Sequence, residues 1–85
     1  MSKQINPIKL TSELIRCESI TPESAGSLDI IISYLEPLGF NCKRLDFGEG
    51  DDKVENLYAR IGIMEPNICF AGHVDVVPTG NINNW

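Results

Sequence analysis

The spacing of apolar residues changes character once along this chain, at Gly39-Phe40, and that change limits the fold more than any other feature. Before it, apolar side chains return every three or four positions, the repeat of a helix face; after it they alternate or run together, as in strands. Helices followed by strands read as a layered α/β structure.

Asn6-Pro7 is a helix start, because the Asn side chain can accept from the free amides of a first turn and proline at the first helical position loses no hydrogen bond. The spacing predicts a helix to about Arg16, with Ile8, Leu10, Leu14 and Ile15 gathered in one stripe and Lys9, Ser12 and Glu13 toward water. Thr21-Pro22 offers the same signal and opens a second helix, along which Ala25, Leu28, Ile31, Ile32 and Leu35 recur. Pro37 and Gly39 stop it near Leu38.

Phe40, Cys42, Leu45 and Phe47 then outline a strand, and Gly48-Glu49-Gly50-Asp51-Asp52 closes it. That acidic run is a solvated connection rather than a cation site, since its spacing matches no calcium loop. Val54 to Ile63 reads as a second strand with Leu57, Ala59, Ile61 and Ile63 on one face, followed by a turn at Met64-Glu65-Pro66-Asn67. Ile68-Cys69-Phe70-Ala71 is unbroken apolar sequence, which suggests a third strand covered on both faces. The expectation is therefore two helices followed by three strands of a mixed sheet, the opening of a single domain over residues 1–85, without repeat or linker.

A chain of 85 residues hides only about 60% of the surface its unfolded form exposes, so one small core is the most it can build. Its net charge of −5 disfavours nucleic acid and anionic membranes as partners. No run approaches the ~20 apolar residues that cross a bilayer, and no leader pattern opens the sequence, so a soluble, cytoplasmic protein is expected. Cys17, Cys42 and Cys69 are an odd count without a paired spacing and read as reduced thiols, the latter two as small hydrophobes within strands.

The chemistry concentrates in Phe70-Ala71-Gly72-His73-Val74-Asp75-Val76-Val77-Pro78-Thr79-Gly80, where the apolar run meets the sole histidine and then a carboxylate. In extended backbone, residues two apart share a face, so Asp75 can accept one ring N–H of His73 while the opposite nitrogen faces a metal. Ligands in α/β proteins also gather beyond the carboxyl ends of central strands, and Gly72 would keep the approach unobstructed. The same pattern also suits a hydrogen-bonded surface histidine, and one imidazole cannot hold zinc alone, because catalytic zinc takes about three protein ligands.

This segment, with Trp85 closing it, resembles the first metal-site motif of the dizinc aminoacylase and carboxypeptidase-like amidohydrolases. Leu14-Ile15-Arg16-Cys17, Ile20-Thr21-Pro22, Leu35 to Phe40 and Glu55 to Arg60 extend the likeness in order along the chain. The resemblance implies the amino-terminal portion of a zinc-peptidase-like catalytic domain, with two zinc ions per complete active site and cobalt as a substitute. It implies that His73 is a ligand of one zinc and that Asp75 belongs to the catalytic groups as the carboxylate orienting it. It also implies a small acylated amino-acid substrate and a homodimer for the complete enzyme. The further ligands and the general base of such enzymes have no counterpart here, so the chain alone is expected to be an inactive fragment.

Val74, Thr79 and Asn81 stand where the most similar branch of that family usually carries threonine, proline and aspartate. None of these removes a ligand. They leave the substrate open, since relatives acting on acetylornithine or dipeptides share His-x-Asp-Val-Val-Pro, and a non-catalytic remnant or interaction module is the other reading.

Overall fold

Local signals dominate the first helix. In the computed structural model, which describes residues 4–84, α1 spans Pro7–Ile15 and Arg16 caps its end. The Asn6 side chain accepts from the amides of Ile8 and Lys9 at 3.0 and 3.2 Å, a cap that contributes about 1 kcal/mol. Thr11 and Ser12 hydroxyls donate back to the carbonyls of Pro7 and Ile8.

The second helix, α2, spans Ser27–Leu35 and starts later than its sequence signal. Thr21 was expected as its cap, with Pro22 and Ala25 inside it; instead turns form at residues 21–22 and 25–26, Ala25 takes a positive φ of 51°, and Gly26 holds the N-cap at φ 82°. The reason is competition. The backbone and hydroxyl of Thr21 are engaged by Val76 and Asp75, so they cannot cap a helix. The far end is as expected: a 3₁₀ turn at Glu36–Leu38 runs into Gly39, whose left-handed φ of 99° closes the helix.

Strand β1, Asn41–Phe47, pairs antiparallel with β2, Val54–Arg60, in the register Cys42 to Ala59 and Arg44 to Leu57. Glu55, Leu57 and Ala59 turn inward while Val54, Asn56 and Tyr58 face water, the alternation of a half-covered sheet. Gly48 makes the connecting turn possible: its φ is +87°, and a Cβ there would lie 2.6 Å from the Asp52 carbonyl oxygen. Arg44 bridges Asp29 of α2 and Glu55 of β2, and Lys53 meets Asp46 at 3.4 Å.

Two expectations for the sheet need correction. β2 ends at Arg60, leaving Ile61 and Ile63 outside it and exposed. Ile68 to Ala71 forms no ladder, so the sheet is two-stranded and antiparallel rather than a mixed sheet of three strands. A strand covered on both faces requires covering layers, and among the described residues none reaches this one: Phe70 is 94% exposed. Among the described residues a single isolated parallel bridge, Ile20 to Val76, joins the carboxyl-terminal third to the start of the chain.

Among the described residues Leu28 of α2 is the one buried hydrophobic side chain, and α2 packs against both β2 and α1. Ser19, Ser24 and Ser27 are also buried, and the Ser27 hydroxyl has no hydrogen-bond partner. The radius of gyration is 14.9 Å, against about 12 Å for a close-packed chain of this length. The thiols are free. Cys42 is half-buried, with its pKa raised by burial and by nearby Glu36, whereas Cys69 is exposed and not the buried hydrophobe its sequence setting suggested. No described helix is long and apolar enough to cross a membrane.

Candidate metal centre

Residues 73–76 are held in place by the turn that precedes α2. The Val76 amide donates to the Ser19 carbonyl at 2.8 Å and the Thr21 amide donates to the Val76 carbonyl at 2.9 Å. The Ser19 hydroxyl adds a bond to the Val74 carbonyl at 2.6 Å. These bonds form a short parallel clip between segments about 55 residues apart.

Within the clip, His73 and Asp75 come together as their spacing predicts. Nδ1 of His73 lies 3.2 Å from Oδ1 of Asp75 and 3.0 Å from the Asp75 carbonyl oxygen. Neither a carboxylate nor a carbonyl can donate, so Nδ1 carries the proton, and in the neutral ring Nε2 then holds the lone pair. The His73 side chain is 83% exposed, which leaves that nitrogen accessible.

The second carboxylate oxygen, Oδ2, accepts from the Thr21 hydroxyl, which also lies 3.2 Å from the Val76 carbonyl. That hydrogen bond is the main reason the Asp75 carboxyl sits below its ordinary pKa. Its own amide and His73 act in the same direction, against partial desolvation. Sequence reading missed Thr21 as a site residue, because a Thr-Pro pair ahead of apolar helical spacing looks locally like a cap.

One support drawn from sequence is not met. His73 does not follow a central strand, since residues 68–71 pair with none of the described backbone. At Gly72 a Cβ would meet nothing within 4 Å among the described residues. Trp85, which closes the motif, lies outside the described residues.

The donor set tests the fit of a metal. A neutral imidazole with its proton fixed on the far nitrogen is a good zinc ligand, and the carboxylate behind it raises its basicity. Among the described residues, no three His, Cys, Asp or Glu side chains gather as a metal site. The residues present therefore offer one donor suited to zinc, short of the about three protein ligands that a catalytic zinc takes.

His73 and Asp75 line an open trough of about 1010 Å³, together with Leu28, Ile31, Leu35 and Leu57. Its size reaches the upper end of small-molecule pockets, and its lining is mostly apolar.

No family model matches the chain. Curated relatives do. A succinyl-diaminopimelate desuccinylase of Rhodospirillum centenum is 57% identical over 81 residues, which is 94% of this chain and 21% of that protein. The desuccinylase of Caulobacter vibrioides is 51% identical over 85 residues, 100% of this chain and 21% of its own length. That of Wolbachia pipientis wMel is 50% identical over 82 residues, 96% of this chain and 20% of its own length. The chain thus spans about a fifth of the curated relatives it matches. Over nearly its whole length, the chain is similar to the amino-terminal part of succinyl-diaminopimelate desuccinylases.

Proposed function

We propose that this chain is the amino-terminal part of a zinc-dependent desuccinylase that hydrolyses N-succinyl-LL-2,6-diaminopimelate to succinate and LL-2,6-diaminopimelate, within lysine and diaminopimelate biosynthesis. The observation that carries the reading is the 49–57% identity to desuccinylases across nearly all of the chain.

In this reading His73 would hold one of two zinc ions through Nε2, and Asp75 would fix the ring by accepting the proton on Nδ1. Bound zinc would supply Lewis-acid polarisation of the scissile amide carbonyl. The net reaction adds water across the amide: the C–N bond breaks, the acyl carbon gains the oxygen, and a proton goes to the leaving amine. The general base, the remaining ligands and the basic groups for the substrate carboxylates belong to polypeptide outside this chain, so these residues alone do not turn over substrate.

The complete enzyme is a homodimer of the cytoplasm. The net charge of −5 suits a protein that avoids nucleic acid and anionic membrane.

The test joins this segment to the remaining four fifths of a desuccinylase that it matches. Zinc-dependent release of succinate, lost on chelation and in His73→Ala, is the expected result. Full activity and unchanged zinc content in His73→Ala would overturn the assignment.

A further inference from the structure

A threonine hydroxyl has one proton to give, and that of Thr21 lies near two acceptors, the Asp75 carboxylate and the Val76 carbonyl. The charged acceptor is the stronger, since charge-assisted hydrogen bonds are about twice as strong as neutral ones. The position of Thr21 does not depend on that bond. Its own amide is held by the Val76 carbonyl, and the neighbouring Ser19 is held on both sides of Val76 and Val74. The hydroxyl proton therefore goes chiefly to the carboxylate, with the Val76 carbonyl as the weaker acceptor.

A carboxylate on one torsion rotates through a broad well unless both oxygens are engaged. Here both are: Oδ1 shares the His73 ring N–H with the Asp75 carbonyl oxygen, and Oδ2 takes Thr21. We propose that Thr21 is a positioning residue of the metal centre, holding the carboxylate of Asp75 so that Oδ1 stays on Nδ1 of His73 and Nε2 keeps its lone pair for the metal. The inference rests on His73 being a zinc ligand, and it extends the site to a residue 54 positions away in sequence.

The experiment reads the imidazole directly. Nitrogen-15 NMR of the full chain distinguishes the two neutral tautomers of His73, the sole histidine. The unmodified chain should hold the proton mainly on Nδ1. Thr21→Val should move it toward Nε2, Thr21→Ser should restore it, and Thr21→Val should have no further effect once Asp75 is alanine. Zinc titration followed at Nε2 should weaken by about tenfold in Thr21→Val, the low end of the range for groups that support a ligand.

Preserved amide shifts of β1 and β2 establish that each variant is folded, and Thr21→Ala carries the comparison if the valine variant loses them. An unchanged tautomer in the variant without the hydroxyl would refute the role of Thr21, as would a serine variant that behaves like valine. Either result leaves the desuccinylase reading to its own test, succinate release by the longer protein.

Discussion

Replacing Gly48 with alanine measures what the β1–β2 turn demands of its backbone. The residue sits at φ +87°, where an L-residue costs roughly 1–2 kcal/mol. The added methyl would also stand 2.6 Å from the Asp52 carbonyl oxygen and 3.1 Å from its carbon, so backbone must move. Forced repacking of that kind adds about 1–3 kcal/mol. Gly50 supplies the control, with φ +58° and nothing within 4 Å of the methyl that alanine would add. Both substitutions stiffen the unfolded chain alike, so the difference between them isolates the contact with Asp52. Amide hydrogen exchange at β1 and β2 is the assay. Gly50→Ala should speed local opening by about tenfold, the equivalent of about 1.4 kcal/mol, and Gly48→Ala by roughly tenfold or more beyond that. Equal exchange in the two variants would refute the steric argument.

Two further outcomes follow from named contacts. The Tyr34 phenol is raised above its ordinary value of about 10, by burial first and then by its hydrogen bond and charge contact with Glu13. The folded form thus holds the phenolic proton more tightly, and this contribution is full below pH ~10 and fades as pH rises through the folded value. A Tyr58→Phe background lets phenolate absorbance report Tyr34 alone, and Glu13→Gln should lower its midpoint. Arg44→Ala removes the link from α2 to β2, but a side chain 37% exposed makes that pair worth about 0–1 kcal/mol. Urea denaturation should show the loss at low salt and little of it at ~1 M salt, where charges are screened within about 3 Å.

What was legible in the sequence was what neighbours decide. Asn6-Pro7 needs only the two amides that follow it, and Gly39 needs only its own freedom at positive φ, so α1 and the end of α2 stand where expected. The hairpin is local as well, its strands joined by residues 48–53. The contact between His73 and Asp75 follows from residues two apart in extended backbone. The start of α2 was not legible, because Thr21 has partners 54 and 55 residues away that outcompete a capping role. Nor was the lack of a ladder at residues 68–71, since strand formation depends on layers that a run of apolar letters cannot supply by itself.

The bridge between Ser19-Thr21 and Val74-Val76 ties the integrity of the histidine motif to the first quarter of the polypeptide. Closing a loop of 54 residues costs about 3.5 kcal/mol in chain entropy, comparable to what about four ordinary hydrogen bonds return. Trimming the protein to begin past residue 21 would thus keep every letter of the motif and forfeit its brace. Anyone engineering a minimal version should treat these distant residues as one indivisible unit.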